Sequence, residues 1–221
     1  MEGVRCGCVT RMLIEENLAL MSASYDLKSN AFSNFALKYY PEIAPEISGI
    51  IPRQKMNEIL EYTIKYAEHF SASSPSLFLF GKTGLGKTHI SLALAQTVAK
   101  KGFYTVAGSV ALLMKSIEAE TFSRENDMES LRNLLECDLL ILDDLGSEFD
   151  TSFNQSTLYA IIDGRLSSGR PTVISTNLSM QDLLKRYGDR IVSRITALCE
   201  PLGFAGNDIR QIKFKEKIQK K

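Results

Sequence analysis

Eight consecutive residues constrain the fold of this 221-residue chain more than any other feature. They read Gly81-Lys82-Thr83-Gly84-Leu85-Gly86-Lys87-Thr88, which matches the spacing G-x-x-x-x-G-K-[ST] at every fixed position. An apolar run over 77–80 precedes them, and an amphipathic helical pattern over 88–101 follows. A glycine-rich turn between a buried strand and a helix points backbone N–H groups at an anion. The segment therefore predicts a loop that binds a triphosphate.

The side chains at the end of this loop have distinct expected tasks. Lys87 is placed to reach the β- and γ-phosphates as a point charge, and the Thr88 hydroxyl is placed to ligate Mg²⁺. His89 follows in the first helical turn. A histidine there is more often packed or solvated than catalytic, so we place it at the edge of the site. We expect residues 81–89 to hold ATP together with Mg²⁺.

Strand and helix patterns alternate beyond the loop. Apolar runs predict strands over 103–107, 139–143 and 172–176, and helical periodicity predicts helices over 110–120 and 155–166. Strands that are apolar on both sides and separated by helices favour a parallel sheet covered on both faces. After Asn177 we expect mainly helix, with one short strand near 202–204. The fold class predicted from these patterns is α/β.

The strand predicted over 139–143 ends in two carboxylates, Asp143 and Asp144. The first is expected to hold Mg²⁺, usually through its water, and the second to orient the attacking water. Many enzymes with this pair carry glutamate at the second position. Asp144 is one methylene shorter, so the sequence predicts slow or assembly-dependent hydrolysis. Glu148, four residues further on, is a candidate substitute for that carboxylate.

Further polar and basic residues follow the strand predicted over 172–176. Asn177 stands at the carboxyl edge of the sheet, where ligands bind in open α/β folds, and it can hydrogen-bond the γ-phosphate and the nucleophilic water. Arg190 and Arg194 are four residues apart and share one helix face. A guanidinium there can stabilise phosphoryl charge from a neighbouring subunit, whereas Arg210 would act within its own subunit. A surface salt bridge is the alternative role for each arginine.

Composition excludes several other classes of protein. The chain has 26 basic and 26 acidic residues, so a uniformly basic nucleic-acid coat is excluded. Its apolar runs are far shorter than the roughly 18 to 20 residues that span a bilayer, and no secretory signal opens it. A cytoplasmic location without membrane contact is expected. The lysine-rich segment 213–221 predicts either phosphate contacts or a solvated terminus.

The first 74 residues differ in character from the rest. Helical pieces over 12–21, 32–39 and 54–70 are separated by prolines, and a small-residue linker over 71–76 precedes the first strand. We expect a helical N-terminal extension over 1–74 and a nucleotide-binding domain over 75–221. Cys6 and Cys8 form a Cys-x-Cys pair. Four ligands are needed for tetrahedral zinc, so a complete zinc site within this chain is not expected.

These motifs in this order resemble the AAA+ ATPases of the helicase-loader group, the DnaC/DnaI-type proteins, and the related IstB-type transposition helpers. The resemblance covers residues 32–213 and is most specific over 78–88, 142–148, 174–178 and 190–195. It implies a P-loop NTPase fold of the additional-strand type. That fold has a five-stranded, mainly parallel sheet between helices, in which the strand before Asn177 lies between the loop strand and the Asp143 strand.

The resemblance also implies roles for single residues. Asn177 takes the sensor-1 role, Arg194 resembles the arginine finger, with Arg190 as its alternative, and Arg210 resembles the sensor-2 arginine. The 44 residues after Asn177 are too few for a full lid bundle, so the lid is abbreviated and adenine contacts are expected from 50–56. Cys6-x-Cys8 resembles the last pair of a cysteine-rich zinc module, so residues 1–10 are interpreted as a remnant of one.

The function implied by the resemblance is ATP-dependent helicase loading. Such a protein assembles with copies of itself through a trans arginine finger and with single-stranded DNA. It engages the replicative DNA helicase and releases it on ATP hydrolysis. Two alternatives share the same fold, a helper ATPase of a transposase and an adaptor that binds nucleotide without hydrolysing it. A nucleotide kinase is disfavoured because no arginine-rich acceptor lid is evident after Asn177.

Overall fold

The computed structural model describes residues 14–15, 18–19, 21, 25–43, 49–123 and 128–219. Cys6 and Cys8, and with them the expected zinc-module remnant, lie outside the described residues. The described part of the helix expected over 12–21 is helical. The helix expected over 32–39 is instead two 3₁₀ turns, Phe32–Asn34 and Leu37–Tyr39, because Phe35 and Ala36 between them have extended backbone.

A parallel sheet forms the centre of the molecule. Within the described residues its strands are β1 (Ser76–Phe80), β2 (Thr105–Ser109), β3 (Leu139–Leu145), β4 (Thr172–Thr176) and β5 (Cys199–Gly203). The strand order is β2-β3-β4-β1-β5, with every neighbouring pair parallel. The expected five-stranded α/β sheet is confirmed. So is the position of β4, which leads to Asn177, between β1 and β3.

Helices cover both faces of the sheet. They are α1 (Pro52–Glu68), α2 (Lys87–Lys100), α3 (Val110–Thr121), α4 (Glu129–Glu136), α5 (Ser152–Ser167), α6 (Met180–Leu198) and α7 (Ile209–Gln219). Side chains of Ser109, Thr151 and Ser179 cap the amino ends of α3, α5 and α6, each accepting a backbone N–H of the first turn. Of the helices in the described ranges, none is long and apolar enough to cross a membrane.

The core lies in two layers because successive strand residues point to opposite faces of the sheet. On one face, Leu140, Leu142 and Ile174 pack with residues of α3, α5 and α6. On the other face, Leu139 and Ile141 pack with residues of α1 and α2. Helix α1, which lies in the expected N-terminal extension, therefore shares a core with the sheet.

A buried arginine holds together the end of the sheet opposite the phosphate loop. Arg165 of α5 has no exposed surface. Its guanidinium donates to the carbonyls of Leu134, Cys137 and Pro171 at 2.7 to 2.9 Å, and to the Thr172 hydroxyl at 2.9 Å. Cys137, Pro171 and Thr172 lie at or just before the starts of β3 and β4, and Leu134 lies in α4. The arginine thus fixes the two neighbouring strands whose other ends carry the acidic and amide side chains.

Candidate nucleotide-binding site

The glycine-rich loop joins β1 to α2 at the carboxyl edge of the sheet, beside a cavity of about 700 Å³. Two of its glycines are required by the backbone. Gly86 has φ 88° at the amino end of α2, and Gly81 has φ 142°. A Cβ on Gly81 would lie 2.8 Å from the Phe204 carbonyl oxygen. The sequence therefore folds here as an anion-binding turn that leads into a helix N-terminus.

Lys87 lies across the loop and is only 6% exposed. Its Nζ donates to the carbonyls of Gly81 and Lys82 at 2.7 and 2.8 Å, and also to Asn177 Oδ1. Burial lowers the pKa of Lys87 to about 8, although the nearby charges of Asp144 and Asp143 oppose that shift. The structure thus joins the lysine predicted to bind phosphate directly to the predicted sensor asparagine.

Asp143 is the buried carboxylate of the site. The Thr88 hydroxyl donates to its two oxygens at 2.9 and 3.1 Å, and the Ser175 hydroxyl donates to Oδ1 at 2.6 Å. Burial raises the pKa of Asp143, and the bonds from Ser175 and Thr88 oppose the increase. A hydroxyl and a carboxylate side by side at a phosphate loop are the hard oxygen donors that suit Mg²⁺.

Asp144 is placed by an irregularity in β3. The pairing of β3 with β4 shifts register between Leu142 and Leu145, and Asp144 has φ 59°, a left-handed backbone that non-glycine residues rarely adopt. Its N–H donates to the Ser175 hydroxyl at 2.9 Å, and its Oδ1 accepts a hydrogen bond from the Asn177 amide. The turn therefore holds this carboxylate next to Asn177, and both residues line the cavity.

Aromatic residues from the 25–40 segment form another wall of the cavity. Phe35 and Tyr40 stack with ring centroids 5.7 Å apart, and the Tyr40 hydroxyl donates to the Leu85 carbonyl at 2.8 Å. Adenine contacts were expected from 50–56, but these residues do not line the cavity. Met56 is instead fully buried in the core between α1 and the sheet. The structure therefore does not place residues 50–56 at the cavity, which is lined instead by residues of the 25–40 segment.

His89 fastens this wall to α2. Its Nε2 donates to the Ala31 carbonyl at 2.8 Å, and its ring meets Phe35 edge-on at 5.3 Å. Burial lowers the pKa of His89, so the neutral imidazole is favoured. His89 lines the cavity but acts as a packed residue that orients the aromatic wall.

Tyr25 also lines the cavity, although no sequence pattern singles it out. Its hydroxyl is enclosed, and no hydrogen-bond partner for it lies within the described residues. Burial raises the pKa of this phenol, and the charges of Asp143 and Asp144 raise it further. The phenol is therefore favoured in its protonated form, and it lines the same cavity as the two carboxylates.

The start of α7 packs directly on the loop. The Ile209 N–H donates to the Gly84 carbonyl at 3.0 Å. A Cβ on Gly84 would lie 2.0 Å from Asp208 Oδ1, so glycine is required here as well. Asp208 Oδ1 accepts the Arg210 N–H at 2.9 Å. Arg210 lines the same cavity as Lys87, which is where the resemblance places a sensor-2 arginine.

Arg190 and Arg194 do not reach this cavity. Both lie on α6, where they line a separate shallow groove with Tyr159 and Leu198. The Arg194 guanidinium pairs with Asp163 and donates to the Ser167 hydroxyl at 3.3 Å. Within one chain, the structure therefore brings together all the predicted catalytic side chains except the finger candidates.

Glu148 does not face the cavity either. Its side chain is 2% exposed and pairs with Arg186 at 3.1 Å, and it also accepts a hydrogen bond from the Tyr187 hydroxyl. A carboxylate held in this way is not placed to substitute for Asp144, so that interpretation of Glu148 does not fit the structure.

Comparison with known proteins agrees with this geometry. The family model for IstB-like ATP binding proteins matches residues 64–217. The chain belongs to this family. It is also 30% identical over 133 residues to the replicative helicase loader DnaC of Escherichia coli (strain K12), which is 59% of this chain and 54% of that protein. This IstB-like chain thus spans about half the length of the curated relatives it matches.

Solved structures place the IstB-like chain among AAA+ P-loop proteins. The crystal structure of the DnaC helicase loader matches with a TM-score of 0.64 and 25% identity, covering 79% of this chain and 98% of that one. AMPPCP-bound DnaA from Aquifex aeolicus shares the fold with a TM-score of 0.64 and 20% identity, covering 87% and 55%. The predicted resemblance to DnaC-type AAA+ proteins related to IstB is confirmed.

Two contributors to this IstB-like site were missed in the sequence. Ser175 lies in a sequence run typical of an ordinary buried strand. Its hydroxyl, on the strand predicted to neighbour that of the two aspartates, could have indicated a site residue. Tyr25 lies in a segment without periodicity, and no local pattern marks it. Both touch the site through contacts that bridge distant parts of the chain.

Proposed function

We propose that this chain binds and hydrolyses Mg²⁺-ATP as the nucleotide switch of a helicase loader. The observation that carries the proposal is the convergence of five side chains on one glycine-rich loop: Lys87, Thr88, Asp143, Asp144 and Asn177. Lys87 and Thr88 begin α2, Asp143 and Asp144 lie in β3, and Asn177 directly follows β4. Membership of an ATP-binding family supports the same conclusion.

The Thr88 hydroxyl and the Asp143 carboxylate are the residues we assign to Mg²⁺. Both present hard oxygen atoms, and Ser175 orients the carboxylate from behind. The chemistry that a Mg²⁺ ion held by Thr88 and Asp143 would supply is positive charge to offset the charge on the phosphates. The N–H groups of the loop and the dipole of α2 favour the phosphate charge at this helix terminus.

We assign the aromatic wall of the cavity to binding of the adenine base. Phe35 and Tyr40 offer stacked faces next to the loop, and Asn34 and Tyr39 line the same cavity. Adenine binding by stacking needs an aromatic face and few fixed polar groups. This assignment replaces the one made from sequence for residues 50–56.

Asp144 and Asn177 are assigned to the chemistry. A carboxylate that lines the cavity can orient the attacking water and accept its proton. Asn177 connects this carboxylate to Lys87, since its amide donates to one and its carbonyl accepts from the other. A change at the γ-phosphate position would therefore affect Lys87, Asn177 and Asp144 together, because hydrogen bonds join the three side chains.

Loader activity needs assembly and partners, which we also propose. Arg194 is too remote from its own loop to act there, and so it is assigned as a finger for the ATP site of a second copy. Similarity to the replicative helicase loader DnaC supports the replicative helicase as partner over a transposase. We further assign single-stranded DNA as the scaffold of the assembly. Hydrolysis would then end the helicase-bound state.

Turnover as a function of protein concentration tests this proposal. Fluorescent ATP binding and phosphate release are measured with single-stranded DNA for wild type, K87A and R194A. We expect K87A to lose binding, and R194A to bind ATP normally but to lose turnover even at high protein concentration. Normal turnover in R194A would remove the trans finger, and ATP binding by K87A would remove the assignment of the loop.

A further inference from the structure

A buried ionic cluster lies behind the acidic turn, outside the nucleotide cavity. Glu148 is its centre: Arg186 donates to Oε1 from Nε at 3.3 Å and from Nη2 at 3.1 Å, and the Tyr187 hydroxyl donates to the same oxygen. Arg186 also donates to the Glu148 carbonyl. A carboxylate that is 2% exposed and fully engaged in this way fixes its partners, because an unpaired buried charge is costly.

The cluster is connected to the catalytic turn. The second oxygen of Glu148 accepts the N–H of Gly146 at 3.0 Å, two residues after Asp144. Gly146 has φ 106°, and a Cβ there would lie 2.6 Å from Leu178, which directly follows Asn177. The turn that carries Asp144, the segment after Asn177, and Glu148 therefore form one packed unit.

On its other side the cluster holds α6 just before a break. Gly188 has φ 71° and ψ 173°, so α6 consists of two halves, one ending at Tyr187 and one beginning after Gly188. The second half carries Arg190 and Arg194. The first half ends in the two residues that Glu148 binds, so the direction of the second half is set where Glu148 holds the chain.

The geometry points to Glu148 as a positioning residue that aims the arginine-bearing half of α6 at the ATP site of a neighbouring copy. Resting on the proposed function, this inference assigns to Glu148 a task in the subunit that donates the arginine, not in the subunit whose ATP is cleaved. It also gives a direct path from the Asp144 turn of one subunit to the arginine it presents to the next.

Complementation between two inactive variants distinguishes a role of Glu148 in the subunit that donates the arginine from a role in the subunit whose ATP is cleaved. E148Q keeps its own loop intact and should bind ATP, whereas K87A cannot bind ATP but has a correctly held Arg194. Alone, E148Q should bind fluorescent ATP within about twofold of wild type and lose at least about tenfold in turnover at high protein concentration with single-stranded DNA. K87A alone should be inactive.

Mixing the two gives the decisive result. In a random equal mixture, about one head-to-tail interface in four pairs the ATP site of an E148Q subunit with Arg194 of a K87A subunit. Only these interfaces are active, so turnover should recover to about one quarter of wild type. R194A mixed with K87A is the reference and should recover equally. The matched substitution E58Q, on the exposed face of α1, should behave as wild type.

The remaining outcomes each decide the matter. Recovery with R194A but not with E148Q would overturn the inference alone, because Glu148 would then act at its own ATP site. Failure of both mixtures would remove the trans arginine and, with it, the inference.

Y187F, which keeps the Glu148 charge, provides a milder variant should E148Q not fold. It should show a smaller loss of turnover that K87A also restores, and wild-type turnover in Y187F would contradict the cluster's role.

Discussion

Thr88 and Asp143 lie 55 residues apart in sequence, yet the Thr88 hydroxyl is hydrogen-bonded to Asp143 Oδ2 at 2.9 Å. This bond joins the first turn of α2 to the end of β3. It places a hydroxyl and a carboxylate together at the amino end of a helix, where a phosphate-bound cation would be held. The two motifs predicted separately from the sequence are thus parts of one site.

Removing the Thr88 hydroxyl should make ATP binding insensitive to Mg²⁺. We expect T88V to bind ATP about tenfold more weakly than wild type in Mg²⁺, and equally in EDTA, because only the cation contact is lost. T88S keeps the hydroxyl and serves as the control. Fluorescent ATP titrations with and without Mg²⁺ measure the effect, and an equal loss in EDTA would show that Thr88 acts through packing.

Neutralising Asp144 should separate binding from chemistry. We expect D144N to bind ATP within about twofold of wild type and to lose about 100-fold in turnover, the usual range for a lost general base. Phosphate release at saturating ATP measures the loss. Turnover within about threefold of wild type would show that another group orients the water.

Loss of an aromatic side chain from the cavity wall should weaken binding of the adenine base but not of the phosphates. F35A is expected to weaken ATP binding by about tenfold, because a stacking face worth about 1 kcal/mol or more is lost, while binding of inorganic triphosphate is unchanged. Phe122 is 75% exposed and does not line the cavity, so F122A is the matched control. Competition titrations against fluorescent ATP measure both ligands. A parallel loss for triphosphate would place Phe35 in loop packing instead.

Arg165 should matter for stability without touching the nucleotide. R165M leaves several buried carbonyls without donors, each costing about 1 to 3 kcal/mol, so we expect at least about 3 kcal/mol of destabilisation. The chain has no tryptophan, so urea unfolding is followed by circular dichroism. R132M, at an exposed position on α4, should change the free energy of unfolding by less than about 0.5 kcal/mol. A stability for R165M equal to that of R132M would contradict the account of the buried guanidinium.

Local sequence patterns predicted the elements of this fold well. The loop, β1, β3 and β4 follow from apolar runs with glycine or carboxylates at their ends, since these features are encoded within a few residues. The position of β4 between β1 and β3 came from the family resemblance, because strand order depends on distant pairings. Helix α4 was missed, since it is short and only Leu134 is fully buried.

The cavity wall and the Glu148 cluster could not be predicted for a different reason. Helical periodicity over 32–39 predicted a helix where the structure has two 3₁₀ turns, and the position of residues 25–40 depends on single contacts such as Tyr40 with Leu85 and His89 with Ala31. Glu148 finds its partners 38 and 39 residues away. Such long-range side-chain contacts leave no mark on spacing or composition, so only the folded chain reveals them.

The central claim is tested most directly by light scattering on a sizing column. The protein is mixed with the replicative helicase hexamer from the same cell, first with Mg²⁺-ATP and then with Mg²⁺-ADP. The account predicts a joint complex in ATP that is lost or much reduced in ADP. The K87A variant should not form this complex in either nucleotide. Separate elution of helicase and protein in both nucleotides would contradict the claim that this ATP site is the switch of a helicase loader.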